Sequence, residues 1–444
     1  MYLRNLLNTT GRLPEKMNNR EILKTARSIG QKLAIKGSRW SIAAFLLLGV
    51  IAAGCESSGT VGDGLRPDDN DIVKTVENID GGGLEVIVEN TFSGRLQQSA
   101  AGYFEDPVYG TIRAVSLFKP SISRATVDSI FEGDYITLKL SQSVVDYGDT
   151  TSVSDFTIYE AGELWRGNEL RYNQEISIDQ STPVATFQMA NEDSIEVELS
   201  AEWTDKFKSY FNSISSSRDS TYINEFPGLA IVPSPANSRI HFFRHLQQTD
   251  EEERETEFIV YTVNPDDSDE EEPDPIAQPL TLRDWGASVI RTNEPDYDSG
   301  IVLHNSERIL RVDPEFTREE LRNKNIVNAS LVLTKNTMQE DLYPSFERPE
   351  LFSIRAHEFD PVPSDITSEM FITSAAYNGL VDEGENTYRL DITRYVLNEV
   401  FGDEGEGPLF ISLQAVNGLL YSATFYDETA AEDLRPRIVI TSVD

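Results

Sequence analysis

The sequence predicts an all-β protein with a few short helices, built as an antiparallel β-sandwich or jelly roll with one or two sandwiches. Apolar and polar residues alternate with a period of two in many short runs, turn residues separate these runs, and few segments have helical spacing. Strands at this spacing are typical of sandwiches and disfavour an α/β sheet. No fixed-period repeat indicates a propeller or a solenoid.

The first element is predicted to be an export signal rather than part of the fold. Residues 40–53 form an apolar run that is shorter than the about 20 residues needed to span a bilayer, and a basic segment precedes it. Cys55, the only cysteine of the chain, follows the Ala-Ala-Gly triplet at 52–54. This context resembles the lipobox of bacterial lipoproteins, in which the leader is removed and the cysteine is acylated.

The lipobox resemblance has three implications for the start of the chain. Residues 1–54 are a lipoprotein signal peptide, with translation starting at Met1 or at Met17. Cys55 is the lipidation site, and the bilayer is its partner. Each buried methylene contributes about 0.8 kcal/mol, so two or three acyl chains hold the protein at the membrane.

Composition narrows the possible partners of the remaining chain. Removing nine basic and two acidic residues with the leader changes the formal net charge from −37 to −44. Such a charge disfavours nucleic acid and anionic headgroups as partners. Without a second cysteine the chain has no disulfide framework, although an exported protein meets an oxidising compartment.

Residues 55–75 are predicted to be a flexible tether, because they are rich in Gly, Ser and Asp and lack apolar periodicity. Residues 76–263 are predicted to form an N-terminal β domain. Its clearest strands are at residues 84–89, 135–140, 156–159 and 194–199. One amphipathic helix is predicted from the helical spacing of Trp203, Phe207, Tyr210 and Phe211.

Residues 264–282 begin with an acidic, Pro-containing stretch and are predicted to be either a domain linker or a long surface loop. Residues 283–444 are predicted to form a C-terminal β-sandwich. Thr317 and Glu320 form a capping-box pattern that predicts a helix start. The other elements predicted for this C-terminal sandwich are strands at 287–292, 326–333, 351–356, 409–414 and 436–441, and a helix carrying Ile392, Tyr395, Val396 and Val400.

Four segments share a recognisable pattern: an Asp-Pro-x-aromatic-Gly turn within 102–110, an Asp-Ser-led strand at 127–129, a Tyr-Gly-Asp turn at 147–149 leading to 156–160, and the strand segment 226–232. With these motifs the chain resembles a family of Bacteroidota lipoproteins defined by a domain of unknown function. The resemblance is best over about residues 86–264. The family implies the envelope of a didermal bacterium and supplies no catalytic residue.

A second resemblance concerns the C-terminal region. Residues 328–333, 390–396 and 435–440 are similar to the carbohydrate-binding-like β-sandwich modules attached to secreted carbohydrate-active and surface proteins. This similarity implies a sandwich fold and names no ligand-binding residue.

Histidines are the first candidates for metal ligands. His241 and His245 are four residues apart, a spacing that on a helix brings two imidazoles to one metal. The segment alternates like a strand, however, which predicts that both side chains lie on one solvated face. No third ligand is indicated, so no metal site is predicted there. His304 and His357 are isolated and are predicted to be half-buried.

Calcium is the better metal candidate, because Asp296 and Asp298 place two carboxylates on one side of a turn. The spaced acidic residues and final Glu of an EF-hand are missing, which favours a solvated turn and leaves structural calcium as the alternative. The acidic run 266–272 is interpreted as solvent-exposed. No cofactor is predicted.

Catalytic motifs do not stand out. The chain has neither a Gly-x-Ser-x-Gly elbow nor a Gly-rich phosphate loop, and its carboxylates are too numerous to single out a glycosidase pair. Trp165, Tyr172 and Trp285 are candidates for stacking on sugars, but burial is the more favoured prediction for each, and Trp203 is assigned to a helix core.

The sequence leaves three functions open. The first is a non-catalytic accessory or binding subunit of an outer-membrane secretion or uptake complex, facing the periplasm or the cell surface. The second is a surface carbohydrate-binding module that retains polysaccharide. The third is a glycan-processing enzyme with two facing carboxyl groups in a cleft. The first is preferred, because an anchor and a strand-rich body need no catalytic residues.

Overall fold

Antiparallel strands make up most of the described chain in the computed structural model. The structure describes residues 74–80, 82–124, 127–245, 255–262, 275–295, 300–316, 318–381, 386–402, 407–413 and 417–443. The predictions for the signal peptide, for Cys55 and the tether up to residue 73, for residues 263–274, for the turn at 296–299 and for Thr317 lie outside the described residues.

The strands form three sheets, which we name the large, middle and small sheets. The large sheet contains β1 (Lys74–Asp80), β2 (Gly83–Val88), β16 (Ile301–His304), β17 (Arg308–Asp313), β18 (Asn325–Thr334), β19 (Ser353–Glu358), β20 (Tyr377–Val381), β21 (Thr387–Asp391), β22 (Leu409–Leu413), β23 (Ser422–Phe425) and β24 (Arg437–Val443). The middle sheet contains β3 (Gln98–Asp106), β4 (Gly110–Pro120), β6 (Tyr147–Gly148), β7 (Ser154–Ala161), β8 (Ile178–Asp179), β9 (Ala185–Met189), β11 (Leu229–Pro233), β12 (Arg239–Arg244) and β15 (Leu282–Thr292). The small sheet contains β5 (Tyr135–Ser141), β10 (Ser194–Glu198), β13 (Glu257–Thr262) and β14 (Ile276–Leu280).

Five short helices lie between these strands in the described part of the chain. They are α1 (Ala201–Phe211), α2 (Arg218–Glu225), α3 (Arg318–Leu321), α4 (Ile366–Ile372) and α5 (Thr393–Phe401), and a 3₁₀ turn spans Glu340–Leu342. The all-β class and its sandwich arrangement are thus confirmed. No helix of the described residues is long and apolar enough to cross a membrane.

Strand order connects distant parts of the chain. The large sheet runs β1-β24-β18-β21-β20-β19-β22-β17-β16-β23, with β2 also paired to β17. The middle sheet runs β6-β12-β3-β4-β11-β7-β8, with β15 added on β4 and β9 on β7. The small sheet runs β10-β5-β13-β14. Strands from both sides of residues 264–282 therefore share the large and middle sheets, and the division of the chain there stays a prediction.

The middle sheet is covered on both faces. Its Phe104, Ile112 and Phe242 pack in one apolar core with residues of the large sheet, including Leu310 and Leu331. Alternate side chains point to opposite faces of a strand, so neighbouring residues enter a second core. That core joins the middle sheet to the small sheet, α1 and α2.

The helix α1 shows how the sequence closes the second core. The Ser200 hydroxyl accepts a hydrogen bond of 3.3 Å from the Trp203 amide and caps the helix. Trp203, Phe207 and Phe211 follow at intervals of four, so all three side chains lie on one face and are buried. The predicted helical stripe is confirmed, and it fills the space between the two sheets.

Candidate functional site

The predicted strand is confirmed as β12, which contains His241 and ends one residue before His245, but the predicted solvated face is wrong. Both imidazoles are buried, and each Nε2 is within 3.0 Å of a serine hydroxyl, of Ser154 and Ser99 respectively. Phe243 between them belongs to the second core, which explains the difference: a covered sheet has no solvated face. Burial lowers the pKa of each histidine to about 3, so both are neutral.

The aromatic candidates for sugar stacking are placed as their burial prediction expects. Trp165 and Tyr172 are buried, and Trp203 lies in the second core. Trp285 is half-buried, and its Nε1 donates a 2.7 Å hydrogen bond to the Leu96 carbonyl. None of these four rings presents an open face for a sugar.

The Asp-Pro-x-aromatic-Gly motif forms the turn between β3 and β4. The Asp106 carboxylate accepts hydrogen bonds of 2.8 and 3.2 Å from the Val108 and Tyr109 amides. Gly110 closes the turn with φ +78, where a Cβ would lie 2.6 Å from the Thr292 carbonyl oxygen. Only glycine fits this turn, which brings β4 against the end of β15.

Asp106 is also one half of a buried ion pair. Arg348 donates two hydrogen bonds to its carboxylate, of 2.8 and 3.0 Å, and the Tyr147 hydroxyl donates a third of 3.2 Å. Tyr147 belongs to the Tyr-Gly-Asp motif, so the two motifs, 41 residues apart, meet at one carboxylate. Burial and the Asp106 charge raise the pKa of Tyr147 far above its usual range.

Tyr109 lies between the Asp106–Arg348 ion pair and His304. Its hydroxyl donates to Glu340, which also binds the Lys335 ammonium at 2.7 Å. On the other side, the His304 ring lies edge-on to the Tyr109 ring, with 5.9 Å between centroids. Through Tyr109, the turn motif thus packs against the His304 ring.

His304 belongs to a group of charged and polar side chains that we name the inter-sheet cluster: Arg291, Glu294, His304, Glu307 and Arg308. His304 is the last residue of β16, Arg308 is the first residue of β17, and a tight turn joins these two strands of the large sheet. Arg291 lies near the end of β15 in the middle sheet. The cluster therefore forms where two sheets face each other. Ligand-type atoms of Glu294, His304 and Glu307 all lie within 4.8 Å of one another.

His304 was predicted to be half-buried, but it is completely buried, and so is His357 to all but a few per cent. Both lie on the large sheet beneath other elements, which a lone histidine in a sequence does not reveal. Burial, assisted by the Arg291 charge, lowers the pKa of His304 to about 3. Its imidazole is neutral near pH 7 and has one lone pair available.

The acidic members of the cluster are only partly paired. Arg308 binds Glu294 through Nη2. Glu307 Oε1 lies 3.7 Å from Arg291 Nε, which is too far for a hydrogen bond. Burial raises the pKa of Glu307 in spite of the Arg291 charge. Sequence reasoning missed this group, because Glu294 follows a strand of the middle sheet, whereas His304 and Glu307 lie at the turn between two strands of the large sheet.

A second polar feature is a surface pocket of about 320 Å³ above β12. Arg239 forms its base, is 2% exposed, and binds Asp146, Asn191 Oδ1 and the Ala190 carbonyl. The rim carries Glu192 and Asp193. The pocket thus offers mainly hydrogen-bond acceptors around one internal counter-charge.

Comparison with known proteins assigns no family. No family model matches the chain, and no curated protein matches it. Among solved structures, a structure of the Macrobrachium rosenbergii nodavirus is 10% identical over 85% of this chain and 92% of that chain, with a TM-score of 0.10. So low a TM-score carries no argument about fold or function.

Proposed function

We propose that the protein is an outer-membrane lipoprotein of a didermal bacterium, anchored through acylated Cys55, whose all-β body is a non-catalytic binding subunit of a secretion or uptake complex. The observation that carries this proposal is the place of the only cysteine, between an apolar run and a polar segment. A core cysteine would be followed by further apolar periodicity. The resemblance to the Bacteroidota lipoprotein family agrees with this setting.

The distance between anchor and body also suits a tethered binding protein. Eighteen residues separate Cys55 from the start of β1 at Lys74. A chain extends at most by about 3.3–3.6 Å per residue, so this segment reaches up to about 60 Å. The body can then contact a partner well above the headgroups.

Histidine chemistry supports binding over catalysis. All four histidines of the chain are buried, and burial lowers the pKa to about 3 for His241, His245 and His304 and to about 4 for His357. A general base works best with a pKa near the operating pH. These four residues are therefore poor proton-transfer groups in the free protein.

The anchor is tested by feeding cells an alkyne-labelled fatty acid and following wild type beside Cys55→Ser and a Ser57→Ala control. We expect label and membrane fractionation in wild type and Ser57→Ala, and neither in Cys55→Ser. An unlabelled wild type, or a Cys55→Ser protein that stays in the membrane fraction, would contradict the anchor.

The partner is tested in detergent-solubilised envelopes by crosslinking and purification of the lipidated protein. We expect one outer-membrane protein at a fixed stoichiometry, and loss of that crosslink in Cys55→Ser. Recovery of the anchored protein alone, after crosslinking that captures a known control complex, would contradict the subunit role.

A second candidate is binding of a glycan in the Arg239 pocket, favoured by its volume and its polar rim. Carboxylates and amides at the rim accept hydrogen bonds from sugar hydroxyls. Retention on immobilised envelope polysaccharide that is lost in Glu192→Ala with Asp193→Ala would support this candidate over the first.

A further inference from the structure

His304 carries a buried nitrogen without a partner beside two carboxylates. Its Nδ1 lies 2.8 Å from the Ser422 hydroxyl, which fixes the orientation of the ring. Its Nε2 makes no hydrogen bond with any described residue, and Glu294 Oε1 lies 3.6 Å away. In the tautomer protonated at Nδ1, the Nε2 lone pair faces the Glu294 carboxylate, and a cation between the two atoms would satisfy both.

Arg291 is a second, independent unsatisfied group in the same place. Its side chain is 1% exposed, and its three nitrogens make no hydrogen bond of good geometry within the described part of the chain, although the Tyr147 hydroxyl and Glu307 Oε1 are near it. A guanidinium has five N–H donors, and burying them without acceptors is strongly unfavourable. Within the described residues, the Arg291 guanidinium is therefore short of acceptors at hydrogen-bond distance.

We propose that Glu294, His304 and Glu307 bind one divalent transition-metal ion of the Zn²⁺ type, with a small carboxylate-like anion as a further ligand held by Arg291. The two unsatisfied groups are explained together: the ion takes the His304 lone pair, and its anion accepts from the guanidinium. This inference does not depend on the proposed function.

The geometry suits a single ion. Zinc bonds to nitrogen and oxygen at about 2.0–2.2 Å, which places neighbouring tetrahedral ligands about 3.4 Å apart. His304 Nε2 and Glu294 Oε1 are 3.6 Å apart, and one ligand atom from each of the three residues lies within 4.8 Å of the others. To bind the ion at this distance, the Glu307 side chain would have to rotate toward it.

The ligand types select the class of metal. Ca²⁺ and Mg²⁺ prefer oxygen ligands, whereas imidazole suits zinc and its transition-metal neighbours. The hydrogen bond between His304 Nδ1 and the Ser422 hydroxyl and the contact of Arg308 with Glu294 correspond to the outer partners that orient ligands in such sites.

Charge explains why the metal needs an anion. The two carboxylates and the two guanidinium groups of the inter-sheet cluster cancel, so a divalent ion alone would leave a buried double positive charge. One anionic ligand next to Arg291 reduces this excess and supplies the missing acceptors. The arginines thus favour a metal–anion pair over a bare cation.

Ions can reach the site from one side. The side chain of Glu294 is 20% exposed and that of Arg308 is 26% exposed, whereas His304 is fully buried. The path from solvent therefore passes the Glu294 carboxylate, which is a ligand itself.

The test is a titration of the full chain, purified in detergent and stripped with a chelator, with Zn²⁺ in excess Ca²⁺. Calcium saturates the hard acidic sites of this anionic surface, so that only a nitrogen-containing site is measured. We expect one Zn²⁺ per chain, and a blue tetrahedral-type absorption when Co²⁺ replaces it. Acetate should tighten Zn²⁺ binding in wild type.

Three variants separate a ligand role from a structural one. Glu307→Gln keeps the shape of the side chain and should weaken Zn²⁺ binding by at least about 100-fold, since even outer-shell partners are worth about 10–100-fold. His304→Ala should abolish the Co²⁺ spectrum. Arg291→Met should remove the effect of acetate, and His357→Ala, a buried histidine without this acidic pair, should bind as wild type does.

Two results would overturn the inference. One is the absence of stoichiometric Zn²⁺ binding by folded wild type, which would mean that internal water satisfies the buried groups. The other is binding that is unchanged in folded Glu307→Gln, which would place the metal elsewhere.

Discussion

The two faces of the middle sheet are packed in different ways. The face toward the small sheet and α1 is filled with aromatic rings: Trp203 stacks on Phe207 and Phe258 with centroid distances of 5.5 and 6.0 Å. Its two histidines are neutral, and each contacts a serine hydroxyl. This face has the composition of a core that only holds the fold together.

The face toward the large sheet combines an apolar core with full charges at one end. Asp106 is fully paired with Arg348, but the buried Arg291 makes no hydrogen bond of good geometry to any described residue. An unsatisfied neutral group is unfavourable by about 1–3 kcal/mol, and a charged group by more. The other face of the same sheet is packed with apolar and aromatic side chains, so buried charges are not required to stabilise this sheet. We therefore attribute the buried charges of the inter-sheet cluster to ligand binding.

The largest expected effect is on the aromatic face. Trp203→Ala should lower the free energy of unfolding by about 3–5 kcal/mol, because it removes a ring packed against three others. Urea denaturation followed by fluorescence measures this change. Phe131→Ala, at a side chain that is 61% exposed, should stay within about 0.5 kcal/mol. A loss below about 1 kcal/mol in Trp203→Ala would mean that this face is not a tightly packed core.

The next effect tests the paired end of the charged face. Asp106→Asn should lower the free energy of unfolding by about 3 kcal/mol, because it leaves the Arg348 charge buried and uncompensated. Asp219→Asn, at a carboxylate that is 71% exposed beside Arg218, should change it by less than about 1 kcal/mol. Equal effects of the two substitutions would show that Asp106 is no buried partner.

Local pattern predicted the half-buried strands well. The strand predicted at 135–140 spans Tyr135–Ser141, and the one predicted at 194–199 spans Ser194–Glu198, because alternation is visible wherever one face is polar. The strand β4 carries no such signal, since its last seven residues are all buried. Sheets covered on both faces do not alternate.

The burial of the histidines and the formation of the inter-sheet cluster could not be predicted from the local sequence pattern. Alternation around His241 correctly predicted a strand. The layers that cover this strand, however, depend on pairing between strands that are far apart in the sequence. Glu294 approaches His304 only because β15 joins the middle sheet while β16 joins the large one. The short spacing of His304 and Glu307 across a turn was the one signal available.

A smaller effect concerns pH and the aromatic face. The pKa of His245 is about 3 in the folded protein, below its unfolded value of about 6.5. The unfolded state therefore binds more protons between these values, and stability is lost as the pH falls from about 6.5 toward 3. Each such histidine contributes about 1.4 kcal/mol per pH unit to that slope.

His245→Gln should make the dependence of unfolding free energy on pH shallower by this amount between pH values of about 4 and 6. Ser99→Ala removes the hydroxyl that His245 contacts but keeps the titrating group, so its slope should match wild type. An unchanged slope in His245→Gln would show that the imidazole is not held neutral.

We infer that the unsatisfied charges between the middle and large sheets are retained for a ligand and not for stability. The most direct measurement is the free energy of unfolding of Arg291→Met combined with Glu307→Gln, in metal-free buffer, against wild type. Replacing a poorly satisfied buried pair with uncharged groups is often neutral or stabilising, so we expect the variant to be more stable by about 1 kcal/mol. A loss of about 3 kcal/mol or more would show that the pair holds the sheets together and would contradict the claim.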